Sequence, residues 1–157
     1  MKKSLIFLIT FLCCLSMSAQ FEKGKKYLGA NLNGLDLSFN NKTDMSFDVG
    51  ANAGYMIEKD LLLLGTFDVN YYDSDIQYFR LGGKLRYFFD NCGIFVGAGA
   101  NFISNHNLYD DFQVTAEVGY CYFLNRNLTI EPSIRYDLGF SESGRTLGFA
   151  IELGWFF

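Results

Sequence analysis

The chain has 157 residues, 13 Lys and Arg against 17 Asp and Glu, a formal net charge of −4, half its residues hydrophobic and 18% aromatic. The acidic balance excludes a nucleic-acid partner of the usual kind, which needs a basic patch. With one Pro, 16 Gly and its apolar residues dispersed by alternation, the chain beyond its first twenty positions has no run long enough for a membrane-spanning helix.

The first element is a leader. Met1-Lys2-Lys3 is basic, Leu5 to Leu15 is almost wholly apolar, and Ser16-Met17-Ser18-Ala19 supplies small residues. This three-part layout predicts a secretory signal peptide over residues 1–19, and a single domain over 20–157. Loss of Lys2 and Lys3 makes the processed chain more acidic. Lipoprotein processing at Cys13 or Cys14 is disfavoured, because Leu12 and Cys13 precede them where a small residue is expected.

Eight strands follow. The first spans about 26–39, with a change of parity near Gly34 that predicts a bulge. The second, 44–57, sets Phe47, Val49, Ala51, Ala53, Tyr55 and Ile57 against Asp48, Gly50, Asn52 and Gly54. The third, 61–72, sets Leu63, Phe67 and Val69 against Thr66 and Asp68. The fourth, 76–89, sets Phe79, Leu81, Leu85, Tyr87 and Phe89 against Arg80, Gly82, Lys84 and Arg86. The fifth, 93–104, places Ile94, Val96, Ala98 and Phe102 on one side. The sixth, 111–123, sets Phe112, Val114, Val118 and Tyr122 against Gln113, Thr115, Glu117, Gly119 and Cys121. The seventh sets Leu128, Ile130, Ile134 and Leu138 against Thr129, Glu131, Ser133, Arg135 and Asp137, with a bulge or ladder break expected at Pro132. The eighth, 146–157, sets Leu147, Phe149, Ile151, Leu153, Trp155 and Phe157 against Gly148, Ala150, Glu152 and Gly154.

One face of every strand is apolar and the other polar, glycine-rich or charged. Strands of 10 to 14 residues suit a tilted membrane crossing, which takes about 9–11. A lipid-exposed sheet cannot leave its edges unpaired, so the ribbon must close, the first strand against the last. The expected fold is therefore all-β: an eight-stranded antiparallel up-and-down transmembrane β-barrel preceded by a signal peptide. A soluble ligand-binding barrel would have the opposite polarity.

Charged residues on the polar face must point inward, since Arg or Lys facing lipid costs about 2–4 kcal/mol near the midplane. The predicted interior network is Asp48, Asp68, Arg80, Lys84, Arg86, Glu117, Glu131, Arg135, Asp137 and Glu152. Eight strands enclose a space that side chains about fill, so these charges are expected to pair rather than hold a pore open. A narrow charged channel is the alternative. Outward aromatics fall near both ends, as interfacial girdles do. Turns at 58–60, 90–92 and 124–127 lie with both chain ends on the side taken as periplasmic. Short outer loops at 40–43, 73–75, 105–110 and 139–145 leave little room for a large receptor site.

Cys92 and Cys121 remain after processing. Position 93 falls roughly opposite 121, so a Cys92–Cys121 disulfide is open; two free thiols are the other reading. His106, in an outer loop with Ser104 and Asp110, lacks a visible oxyanion arrangement. No metal-ligand spacing, phosphate loop or nucleotide fingerprint occurs. No cofactor, metal or catalytic residue is expected, and the protein is read as a non-enzyme. A lipid A-modifying enzyme is the least favoured alternative.

The leader Met1–Ala19, the eight alternating strands and the terminal Glu152-Leu153-Gly154-Trp155-Phe156-Phe157 resemble a small outer-membrane β-barrel of the OmpX and OmpA transmembrane-domain type. Gly83–Phe89 and Gly93–Gly99 resemble the porin-family barrels of Bacteroidetes-like Gram-negative bacteria. The resemblance implies location in the bacterial outer membrane and outer-membrane lipids as partners. It also implies recognition of the terminal aromatics Trp155 and Phe157 by the barrel assembly machinery. It leaves any extracellular ligand unnamed, and a tether to the cell wall through a periplasmic domain is not expected. The expected function is structural or surface-interactive, with a narrow porin-like channel as the alternative.

Overall fold

The computed structural model describes residues 21–38, 47–72, 75–89, 92–105, 108–140 and 145–157. The leader, most of the expected outer loops, His106 and the leader cysteines lie outside the described residues, as does the side chain of Asp48. The strands are β1 Lys26–Ser38, β2 Phe47–Glu58, β3 Leu61–Tyr72, β4 Asp75–Phe88, β5 Ile94–Asn105, β6 Leu108–Tyr120, β7 Tyr122–Phe123, β8 Leu128–Gly139 and β9 Arg145–Phe156. Each pairs antiparallel with its neighbours, and β1 pairs with β9, so the sheet closes on itself. The two-residue β7 continues β6 past Cys121, and together they form one stave of an eight-stranded barrel.

Two irregularities expected from the sequence have different outcomes. The register between β1 and β9 shifts between Asn33 and Leu35, which places the bulge at Gly34. At Pro132 there is no bulge: β8 keeps its register with β9 through Glu131↔Glu152, Pro132↔Ile151 and Ser133↔Ala150. The break falls on the other side of β8. The pairs Gly119↔Ser133 and Tyr122↔Ile130 share one register, which sets Pro132 opposite Tyr120, yet the ladder lapses between them. Proline has no N–H to give that neighbour, and β6 and β7 separate there. The sixth stave also begins three residues earlier than expected, at Leu108, and shortens the loop before it.

Side-chain direction follows the alternation. Leu28, Val49, Leu63, Phe67, Leu81, Leu85, Val96, Phe102, Val118, Ile134, Phe149, Leu153 and Trp155 are all exposed on the outside. An apolar surface this continuous far exceeds what a monomeric soluble protein leaves uncovered. Aromatics mark both margins of the outer face: Tyr87 packs edge-on against Phe89 at 5.4 Å near one end, and Phe112 meets Phe140 at 6.1 Å near the other. Among the described residues, no helix is long and apolar enough to cross a membrane.

Inside, the barrel is layered. The end carrying the short turns, called here the turn end, is filled by Phe21, Tyr27, Met56, Leu62, Leu64, Phe88, Phe95, Cys121 and Phe156. This apolar floor departs from the uniformly polar interior expected from alternation. Beyond it the interior is charged, and beyond that it is rich in Asn, Gln, Thr and Asp.

Candidate functional site

Arg86 sits at the inward parity of β4, beside Leu62 of β3 and Gly97 of β5. Around the barrel the register continues Gly97↔Glu117, Glu117↔Arg135 and Arg135↔Gly148. Gly97 thus separates Arg86 from Glu117 in the row, while Glu117 and Arg135 stand directly opposite each other. The spacing is steric: a Cβ on Gly97 would lie 2.5 Å from Glu117 Oε1.

The row supports an ionic cluster. Arg86 Nε lies 2.9 Å from Glu117 Oε1, Nη1 2.6 Å from Glu131 Oε2, and Nη2 3.0 Å from Glu152 Oε2. Three carboxylates from three staves are met by one planar guanidinium, a geometry an ammonium cannot reproduce. Lys84 Nζ adds a contact of 2.7 Å to Glu117 Oε2. Asn52 Nδ2 donates to Glu152 Oε1 at 2.6 Å, and Thr129 Oγ1 donates to Glu131 Oε1 at 2.6 Å. Tyr27 Oη lies 2.7 Å from Glu152 Oε1 and 3.1 Å from Glu131 Oε2, one hydroxyl shared by two carboxyls. On its floor side the guanidinium carbon stands 4.2 Å from the centre of the Phe95 ring, a cation–π contact.

The other predicted charges form separate groups. Asp68 accepts from Asn31 Nδ2 at 2.8 Å and stands beside Arg80 in register; both are buried. Arg135 Nε lies 2.8 Å from Asp137 Oδ2, close enough to attract without the alignment of a hydrogen bond. Thr115 Oγ1 donates to Asp137 Oδ1 at 2.5 Å and accepts from Asn101 Nδ2 at 2.8 Å. Asn31 Oδ1 and Gln113 Oε1 are buried with no partner among the described residues. Such atoms suit bridging water, and Asn52 Oδ1 beside the Arg86 cluster is orphaned in the same way.

The structure therefore joins Lys84, Arg86, Glu117, Glu131 and Glu152 and leaves Asp68, Arg80, Arg135 and Asp137 outside that cluster. Tyr27, Asn52 and Thr129 complete the cluster and were absent from the predicted network. Tyr27 shares the parity of Gly29 and Asn31, the signal that would have turned it inward. Trp155 and Phe157 are exposed on the outer face, with Phe156 buried between them.

The possible Cys92–Cys121 disulfide is not formed, and both thiols are free. Backbone position 93 does face Cys121, whose N–H donates to Gly93 O at 2.8 Å. The side chains part: Cys121 points inward with Sγ 3.5 Å from Glu131 Oε1, while Cys92 turns back to Phe89 O at 3.6 Å. Ser104, two residues before His106, is exposed. Among the described residues no group of three or more His, Cys, Asp or Glu is placed to hold a metal.

At the turn end the exposed Lys23 binds Glu58 at 2.6 Å. That hydrogen bond raises the Lys23 ammonium above its usual 10.5, so the pair keeps its positive partner throughout the neutral range.

A closed antiparallel barrel with an apolar exterior, aromatic margins and a charged, side-chain-filled interior defines a small transmembrane β-barrel of the bacterial outer-membrane type. No family profile matches the chain, and no curated protein does. Solved structures match its fold. It resembles the N-terminal β-barrel domain of Pseudomonas aeruginosa OprF, with a TM-score of 0.69 and 16% identity over 86% of this chain and 98% of that one. Neisserial surface protein A gives a TM-score of 0.63 at 15% identity, covering 85% and 97%. The outer membrane protein OprG of P. aeruginosa gives 0.50 at 12% identity, covering 87% and 97%.

Proposed function

We propose that this protein is an outer-membrane barrel whose role is structural or surface-interactive and whose interior is closed to solute flow. The observation that carries this reading is the Arg86 cluster lying directly on the aromatic floor. Arg86, Glu131, Tyr27, Phe88, Phe95 and Phe156 each expose no more than 1% of their surface. Water does not reach them, and a continuous aqueous path would have to displace them. The turn end faces the periplasm in this reading, residues 1–19 are a removed leader, and Trp155 and Phe157 serve the assembly machinery. Outer-membrane lipids are the partners of the exterior.

Planar-bilayer recording tests the reading. The purified protein is expected to insert without steady openings. Steady openings abolished by Arg86→Leu or Glu131→Leu would instead establish a channel through this cluster. The non-enzymatic part of the proposal is tested by lipid A profiles of cells expressing the native chain or His106→Ala, which are expected to be identical.

A further inference from the structure

The floor of the barrel is completed by a residue that belongs to no strand. Phe21 precedes β1, yet its ring is buried at the turn end. It stacks on Phe88 with centroids 4.0 Å apart and planes 15° from parallel. It also meets Phe123 edge-on at 5.5 Å and Phe156 at 5.7 Å, so it touches rings from three staves. Its carbonyl accepts from Asp60 N at 3.1 Å, while Asp60 O accepts from Phe88 N at 2.8 Å. The β2–β3 turn thereby holds both Phe21 and the ring beneath it.

The segment that carries Phe21 is shaped to lie across the opening. Gly24 has φ +94°, a left-handed conformation that side-chain-bearing residues rarely adopt. Its N–H donates to Met56 O at 2.9 Å, and Met56 N donates to Lys25 O at 2.8 Å. The Lys23–Glu58 pair fastens the outer side of the same turn. A backbone turn, an inserted ring and an ion pair thus act on five consecutive residues.

We infer that Phe21–Lys25 is a strap that seals the turn end of the barrel: Phe21 is its stopper, Gly24 its bend and Lys23–Glu58 its latch. The inference rests on the closed-interior reading and adds to it a specific, displaceable element. With the strap seated, the floor behind it is shielded from solvent on that side. With the strap displaced, water and small reagents reach the floor, while the Arg86 cluster still stands beyond it.

The chain holds its own reporter. Cys121 is fully buried in the floor, two residues before Phe123 on the same stave, and Phe123 is one of the rings that Phe21 touches. The experiment uses the protein in lipid vesicles with Cys92→Ser and measures modification by a charged methanethiosulfonate reagent. Peptide mass mapping identifies the modified site. Native Cys121 is expected to react slowly until the protein is unfolded. Phe21→Ala is expected to speed its modification about tenfold or more, because a stacked aromatic is lost from a local closing equilibrium. Phe21→Leu, which keeps an apolar stopper, is expected to retain most of the protection. Should Phe21→Ala fail to fold, Gly24→Ala strains the bend without touching the ring and is expected to speed modification as well.

Fast modification of native Cys121 would overturn the strap, as would a folded Phe21→Ala or Gly24→Ala variant with native protection. Conductance separates the two readings. A native protein that conducts with Cys121 protected would sink the closed interior and leave the strap standing. A silent native protein with unchanged protection in Phe21→Ala would do the reverse.

Discussion

Arg86 Nη1 lies 2.6 Å from Glu131 Oε2, and neither side chain exposes more than 1% of its surface. This pair is the centre of a site in which Lys84 and Arg86 face Glu117, Glu131 and Glu152. Breaking a buried ion pair from one side costs about 3–5 kcal/mol, because the remaining charges lose their partner in a poorly solvated place. Arg86→Leu is expected to lower stability by at least that amount. Arg86→Lys is also expected to be costly, since one ammonium cannot meet three carboxylates at once. Glu131→Gln leaves two cations facing two carboxylates and is expected to cost less, about 1–2 kcal/mol. Urea unfolding in detergent micelles, followed by Trp155 fluorescence, ranks the three.

Glycines on the two faces of the wall are expected to behave in opposite ways. A Cβ on Gly119 would meet the Phe95 ring and would lie 2.7 Å from Pro132 O, a backbone atom that cannot step aside. A Cβ on Gly65, on the outer face, would meet only Ala53 O at 3.8 Å. Gly119→Ala is expected to destabilise by about 1–3 kcal/mol through overpacking. Gly65→Ala is expected to be neutral, or to stabilise by about 0.5–1 kcal/mol through reduced backbone freedom. The same unfolding assay checks both.

Leu81 lies midway along β4 and is 63% exposed, between Phe67 and Phe102 in register. Its surroundings are lipid in this account. Leu81→Arg is expected to cost about 2–4 kcal/mol in bilayers, the penalty for a cation near the midplane. Reversible unfolding from lipid vesicles measures it, and a cost near zero would place Leu81 in water.

Most of the wall was legible because alternation determines it. A period of two assigns each side chain to one face, and the apolar and polar sets separate cleanly over residues 47–55, 79–87 and 146–155. The bulge at Gly34 could be read from a change of parity, and the ladder lapse at Pro132 from a missing donor. The floor was not legible for the same reason that the wall was. At the turn end both faces are apolar: Leu61-Leu62-Leu63-Leu64, Tyr87-Phe88-Phe89, Ile94-Phe95-Val96 and Trp155-Phe156-Phe157 carry no period. Such runs mark the strand ends where the barrel is filled with rings, and they recur at the same end of several staves. Their alignment was the available signal. Phe21 could not be found this way, because it lies in no strand and is buried by rings from three staves that only the closed barrel brings together. The ion-pair partners were equally hidden. Parity says that Glu117, Glu131 and Glu152 point inward, but only the stagger between staves brings all three to one guanidinium.

The most direct test of the account concerns which face of the wall meets hydrocarbon. Trp155 is the only tryptophan in the chain, and its side chain stands exposed on the outer face beside Leu128 of β8 and Leu28 of β1 in register. Its emission in vesicles is to be measured with lipids brominated on their acyl chains and with iodide in the aqueous phase. The account predicts strong quenching by the brominated lipids and little by iodide. Quenching by iodide alone, with emission indifferent to the brominated chains, would place the apolar face in water and contradict the barrel's orientation in the membrane.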